Sequence, residues 1–429
     1  MSDEQPPVER EVEETAAEQE LAQEQPRTPT GGDYAPSVAK RLDLYQRAGG
    51  IVTPLLTTII AFLIGGLVVL ASGSNPLSTY RAIFDGTGLN WLFPWVTGAD
   101  RTLAATNLQQ TLLLMTPLIL TGLAVAFAFR CGMFNIGGQG QYTVGTIMSV
   151  WVASAFVGMN GPVHILLALA IGTLSGAMWA GIAGFLKATV GAHEVISTIM
   201  LNWIAYWIGS WVFALGGPLQ SHANGASVPV SHDIQPNTHL HVFWGDPILQ
   251  GLHVGFFIAL ACLVVYWATL NRTTLGFSVR AVGFNPEAAR YGGIRVARNY
   301  FTALAISGMF AGLAGAIDVL GWEFHIDVND IQASSIGFTG IAVALLGRNT
   351  AVGVFFSSLL FAALVNGTST RHLDPTIFRP DLAGNLTLII QGLVVLFVGA
   401  DVLVLWFWNQ RKKIKLRRHA LAAQAAVMR

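Results

Sequence analysis

Between residues 132 and 141 the chain sets three amides, Asn135, Gln139 and Gln141, among four glycines, Gly132, Gly137, Gly138 and Gly140. An amide side chain both donates and accepts hydrogen bonds, so such a set can meet sugar hydroxyls or the edges of a base. The glycines let the backbone leave helical geometry and pack closely. Nothing in the set does covalent chemistry. It suits a polar lining in apolar surroundings, where polar side chains usually face an interior or a cavity. A glycine-rich turn with solvated amides at the end of an apolar span is the other reading. A second group follows at Gly191-Ala192-His193-Glu194-Val195-Ile196-Ser197-Thr198, with Asn202 one turn on. His193-Glu194 opens like a zinc-protease helix, but the position four beyond His193 is Ser197, so that chemistry fails. Glu194 is a candidate to brace a gate or meet a partner; a simple helix-start carboxylate is the alternative.

Other chemistries are excluded by what is missing. There is no Gly-x-x-x-x-Gly-Lys-Ser/Thr, so the chain cannot cradle ATP phosphates. There is no Gly-x-Ser-x-Gly nucleophile elbow. His222, His232, His239 and His241 enrich one polar loop, and His239 and His241 alternate on an extended stretch. No third ligand stands at a compact spacing from them, so no metal site is assigned. Asp318, Glu323, Asp327 and Asp330 fall near one end of a span and suggest part of a gate or a solvated loop. No catalytic residue is assigned, and no cofactor bound by this chain. Cys131 and Cys262 lie in or beside apolar runs and build no disulfide framework.

These residues need elements to hold them, and composition says what kind. The chain is 53% hydrophobic and 11% charged, against about 25% charged for soluble domains. Formal net charge is zero, which gives no electrostatic case for nucleic acid. The balance hides an asymmetry: nine of the 24 acidic residues lie in the first 24 positions. Residues 1–45 have too few large apolar side chains to offset chain entropy and are expected to be a disordered acidic tail. Residues 46–410 form the membrane domain and 411–429 a basic tail. A span needs about 20 apolar residues. Runs at about 51–71, 108–129, 141–157, 164–186, 195–215, 251–270, 299–320, 335–347, 350–366 and 386–408 predict about ten. The third, eighth and ninth are short and broken by Gly or polar residues. The fold class expected is all-α, a polytopic membrane helix bundle with short broken helices. With both termini cytoplasmic, all of the 24 lysines and arginines except Arg81, Arg101, Arg371 and Arg379 fall on the cytoplasmic side, as the positive-inside rule demands. Spans 2–5 then start outside and spans 7–10 inside, an inverted repeat in topology. Gly172/Gly176 and Gly308/Gly312 have the GxxxG spacing that permits close helix approach. Longer outer loops are expected at 72–107, 216–250 and 367–385.

The longest arginine-rich polar segment between apolar runs is 271–298, with Arg272, Arg280, Arg290, Arg295 and Arg298. A short helix inside it has both ends marked. Asn285 can cap it and Pro286 suits its first position. Glu287 lies in the first turn, where the helix dipole favours a negative charge. Gly292 and Gly293 stop it, since glycine takes left-handed geometry cheaply. A rigid handle of one and a half turns, Pro286 to Tyr291, is predicted; an ordinary capped polar loop is the alternative.

The run Gly276…Arg280-Ala281-Val282-Gly283…Asn285-Pro286-Glu287-Ala288-Ala289-Arg290-Tyr291…Gly293-Ile294 resembles the cytoplasmic coupling loop of bacterial ABC-importer permeases serving simple sugars, nucleosides and branched-chain amino acids. Met133-Phe134-Asn135-Ile136-Gly137-Gly138-Gln139-Gly140-Gln141 resembles the nucleoside and simple-sugar branch, and Gly337-Phe338-Thr339-Gly340-Ile341-Ala342-Val343-Ala344-Leu345-Leu346-Gly347 resembles a third shared block. The resemblance spans about residues 50–410. It implies a multi-pass permease of the cell (inner or plasma) membrane with a separate ATPase subunit that carries ATP and Mg. It also implies a second permease chain, the same or homologous, and an extracytoplasmic substrate-binding protein. Arg280, Asn285, Pro286, Glu287, Ala288, Ala289, Arg290, Tyr291 and Gly292 would couple to the ATPase. Asn135, Gln139, Gln141, Glu194 and Asn202 are the candidates for the substrate pathway. A branched-chain amino-acid permease and an ion-coupled secondary transporter are the alternatives.

Overall fold

The computed structural model describes residues 55, 58–222, 228–246, 251–369, 385, 386, 388–393 and 396. The expected acidic tail, basic tail, most of the tenth span and most of the loop at 367–385 lie outside the described residues. The described chain is helical apart from its connections, the longest of which, 214–254, has a 3-10 turn and a two-stranded antiparallel pair, β1 Val242–Trp244 with β2 Leu252–His253, among its described residues. That small pair departs from the all-α expectation.

Helix α1, Thr58–Ala71, turns by 120° into α2, Pro76–Thr87. Asn75 caps α2, accepting from the Leu77 N–H at 2.9 Å, and Pro76 follows at the first position. The polar 72–107 stretch therefore holds a helix and a 3-10 turn, Leu89–Leu92, rather than an open loop. Helix α3, Gly98–Arg130, starts ten residues before the expected span. Its first turns carry Asp100, Arg101, Asn107 and Gln109, which hide it from hydropathy although the helix continues through them. Then come α4 Gly138–Ala155, α5 Gly161–Val190, α6 Glu194–Phe213 and α7 Gly255–Arg272. Next are α8 Thr274–Phe284 and α9 Pro286–Tyr291. Helix α10, Val296–Asp318, runs on into a π turn, Val319–Glu323. The series closes with α11 Val328–Ala333, α12 Ile336–Leu346 and α13 Ala351–Gly367. Among the described residues, α3, α5, α6, α7 and α10 with its π turn are long and apolar enough to cross a membrane, and the bent α1–α2 pair makes a sixth candidate.

The packing reverses the pattern of a soluble protein. Helix α5 buries His164, Ala168, Gly172, Gly176, Ala180 and Gly184, one small or polar residue every fourth position. Its large side chains point outward, as do Trp203, Trp207 and Trp211 of α6. Lipid tails are as apolar as leucine, so close backbone contact, not apolar burial, draws such helices together. The most extensive contact is α5 on α10. There a Cβ on Gly308 would run into the Gly176 carbonyl, and one on Gly176 into the Gly308 carbonyl. His164 Nε2 donates to the Val152 carbonyl at 2.9 Å, tying the start of α5 to the end of α4.

Candidate functional site

The non-helical link between α3 and α4 leaves helix ends in an apolar interior, and every end needs partners for its free N–H groups. The amides supply them. Asn135 is fully buried. Its Oδ1 accepts from the Gly137 N–H at 2.8 Å and from Gln141 Nε2 at 3.0 Å. Its Nδ2 donates to Gln141 Oε1 at 3.0 Å and to Ser307 Oγ of α10 at 2.7 Å. Ser307 in turn donates to the Ala124 carbonyl of α3 at 2.5 Å. Asn202 of α6 accepts from the Gly140 N–H at 2.8 Å, in the first turn of α4, and donates to the Ile136 carbonyl at 2.9 Å. Gln139 Oε1 accepts from the Gly337 N–H at 2.8 Å, in the first turn of α12. Neither α4 nor α12 has a cap from its own flanking residue.

These bonds bring Asn135, Gln139, Gln141 and Asn202 together where the N-termini of α4 and α12 converge. A Cβ on Gly337 would strike the Gln139 backbone, so the two termini meet as closely as glycine allows. Asn135 uses both donors and both acceptor directions on protein groups. Gln139 Nε2 is buried without a partner. Glu194 is placed elsewhere: it starts α6 and pairs with Lys187 at 2.8 Å.

Sequence reading missed the continuation of this site. Gln139, Thr143 and Thr146 recur at helical spacing on α4, with Tyr142 beside them. Tyr142, Thr143 and Thr146 face Glu323, Asp330 and Ser334 across a cavity of about 20 Å³, room for about one water. The Tyr142 hydroxyl donates to Asp318 Oδ2 at 2.7 Å, and Asp318 is 1% exposed. The i, i+4, i+7 polar spacing from Gln139 was the available signal. Of the four acids noted together, Asp327 and Asp330 close a capping box on α11, with bonds of 2.7 and 3.0 Å. Above the cavity, the stretch 229–240 is laid on 320–328. Ser231 N–H donates to the Ile326 carbonyl at 2.8 Å, Ile234 to Phe324 at 2.9 Å, and Leu240 to Leu320 at 2.8 Å. His239 stacks on Phe324 with centroids 4.1 Å apart. Burial holds its imidazole below its ordinary pKa, with the Asp233 charge opposing. Among the described residues, no three His, Cys, Asp or Glu side chains gather to hold a metal.

The handle is built as its sequence dictates. Helix α9 spans Pro286–Tyr291, and Asn285 Oδ1 accepts from the Ala288 N–H at 3.0 Å. Gly293 takes φ +79, whereas Gly292 keeps an ordinary φ of −74, so only one of the two glycines uses left-handed geometry. Glu287 and Arg290 pair at 3.5 Å in the open. The polar segment before the handle is not a loop: α8 occupies it, capped by Thr273 accepting from the Gly276 N–H at 3.1 Å. Its buried face, Gly276, Val279 and Val282, sits against the bundle. Gly283 lies against Arg130 and Gly132 so closely that a Cβ would meet the Arg130 carbonyl. Arg130 Nε and Nη2 both donate to the Asn349 carbonyl, at 3.0 and 2.8 Å, and the Tyr266 hydroxyl donates to the same oxygen at 2.7 Å. Arg348 and Asn349 both hold positive φ, 51 and 54, a costly turn for non-glycine residues.

Residues 107–399 match the family model described as branched-chain amino acid transport system / permease component. The guanosine ABC transporter permease protein NupP of Bacillus subtilis is 35% identical over 86% of this chain and 99% of its own length. The nucleoside ABC transporter permease protein NupB of Lactococcus lactis subsp. cremoris is 31% identical over 85% of this chain and 95% of its own. The glucose ABC transporter permease protein TsgB13 of Haloferax volcanii is 32% identical over 81% and 86%. No solved structure gives a significant match. With residues 107–399 matched by that model and relatives above 30% identical over most of its length, the chain belongs to the branched-chain amino acid transport system / permease component family.

Proposed function

We propose that the chain is the membrane-spanning subunit of an ATP-binding-cassette importer that carries a nucleoside, or a simple sugar, into the cytoplasm. The observation that carries the reading is end-to-end similarity to the guanosine permease. The site geometry supports it. Short helices at corresponding places in two inverted halves are the best internal pointer to a transporter's binding site. On a ten-span topology with an inverted repeat, α4 and α12 would take those places as the third and eighth spans. The path runs along α4 past Gln139, Thr143 and Thr146, while Asn135, Gln141 and Asn202 frame it and Glu194 braces its cytoplasmic entrance. The cavity with room for about one water is then a closed gate, and transport requires a second arrangement of these helices.

Helix α9 is the contact for a separate ATPase, which supplies ATP and Mg; Arg280 and residues 285–292 form the surface it pushes. Gly283 against Arg130 and Gly132 gives a packed connection from α9 to the Asn135 knot. A second permease chain and an external binding protein complete the assembly, and both termini are cytoplasmic. A branched-chain amino-acid cargo is the runner-up, favoured by the family's name. The test is purification of the tagged chain from gently solubilised membranes, followed by uptake assays in vesicles. A P-loop ATPase in near-stoichiometric amount, with ATP-dependent guanosine uptake, is expected. Isolation of the chain alone, with uptake driven by the membrane potential, would replace the importer with a secondary carrier.

A further inference from the structure

A cavity of about 800 Å³ lies between α2, the turn at 89–92 and the first turns of α3. Helix α3 has 33 residues, a length of about 50 Å at about 1.5 Å per residue. Its far end, Arg130, touches the helix that leads into α9. The cavity is therefore about a membrane's thickness from the handle, at the end where the proposed importer receives its substrate. Its volume falls in the roughly 300–1,000 Å³ range of small-molecule sites, and the transport path does not use it.

Its walls have two kinds of chemistry. Phe93 and Trp95 stack at 4.6 Å and 18°, with Trp95 73% exposed, so one flat aromatic face stays uncovered. Phe84 stands beside Phe93 at 6.2 Å. Beside this ledge, in the neighbouring 3-10 turn, Trp91 lies under Arg101 at 5.3 Å and packs on Trp244 of β1 at 5.5 Å. The same cavity is lined by Asp85, Asp100 and Asn90. Asn90 Nδ2 reaches Asp85 Oδ1 at 3.3 Å, while Asn90 Oδ1 is buried without a partner. Two carboxylates against Arg81 disfavour an anion. Acceptors that share a cavity with a bare aromatic plane suit a neutral planar ligand rich in N–H and O–H donors.

We propose that this cleft is a reception site for a nucleoside, its base stacked on Trp95 and its hydroxyl or amino donors on Asp85 and Asp100. The proposal rests on the nucleoside reading above. It adds a binding step at the outer surface, separate from the path along α4. Nucleotides are rejected there because a phosphate would meet the two carboxylates.

The experiment is titration of the purified complex, without its binding protein, with guanosine, guanosine monophosphate and glucose, followed by calorimetry. Saturable guanosine binding is expected, with the monophosphate at least tenfold weaker. Trp95→Ala should weaken guanosine about tenfold, Trp95→Phe should restore most of it, and Asp100→Asn should weaken it severalfold. Guanosine uptake by the unaltered complex with binding protein added is measured in parallel. Uptake without measurable binding to the complex alone, or variants that bind like the unaltered protein, would overturn the cleft and leave the importer reading intact. Absence of guanosine uptake would remove the nucleoside reading and the ligand of the cleft with it. If Trp95→Ala changes only membrane association, the ledge is an interfacial aromatic anchor and the proposal is wrong.

Discussion

Asn135 shows how a polar side chain becomes structural in an apolar interior. Its amide completes four hydrogen bonds with Gly137, Gln141 and Ser307. Asn135→Ala would leave a backbone N–H, an amide and a hydroxyl short of partners, each costing about 1–3 kcal/mol. A clear fall in the thermal midpoint of the detergent-solubilised protein is expected, and an unchanged midpoint would show that water replaces the lost bonds. Gln139 differs, because its Nε2 is unpartnered beside the proposed path. Gln139→Glu keeps the acceptor for the Gly337 N–H but removes the spare donor. It should alter the concentration dependence of uptake more than it alters the melting midpoint. Equal effects on both would assign Gln139 to the frame with Asn135.

At the scale of elements, α9 is a short helix that, in the proposed importer, must hold its shape while being pushed. Asn285 supplies its cap, and Asn285→Ala should cost about 1 kcal/mol, loosening the handle without unfolding the bundle. The Glu287–Arg290 pair is exposed on both sides, so it adds little stability. Replacing both with alanine should leave the melting midpoint unchanged, yet separate ATP hydrolysis from uptake in the reconstituted complex. Normal uptake by that double variant would remove the coupling role. The α5–α10 crossing is the opposite case. Gly308→Leu places a side chain where the Gly176 carbonyl stands, and no rotamer avoids a clash with backbone. Loss of the folded protein is expected, read by size-exclusion chromatography in detergent.

For the whole molecule, the inversion of polarity governs the arrangement. Small and polar residues occupy the contacts between helices, and tryptophan and leucine face outward, because the surroundings are hydrocarbon. The acid-rich N-terminal segment lacks the apolar runs on which that packing acts. Deleting residues 2–36 is expected to leave uptake unchanged. A truncated chain that inserts but does not transport would assign the segment a partner.

The sequence alone determined the class of molecule, the handle and the amide block. Each of these is local: an apolar run, a cap with its proline and stop, amides among glycines. Membrane packing also left its period in the chain, as the GxxxG spacings of α5 and α10 indicate. What the sequence hid was whatever depends on distant partners. Helix α8 reads as a polar loop because its buried face has only Gly276, Val279 and Val282. The early turns of α3 are too polar for a hydropathy window. The roles of the amides could not be read either. Asn135 and Gln139 are only four residues apart, yet one secures the start of α4 and the other the start of α12, across 198 residues of sequence separation. Only tertiary structure decided this. An unsatisfied helix end in an apolar interior takes whichever side chain the fold brings to it, and local sequence does not say which that will be.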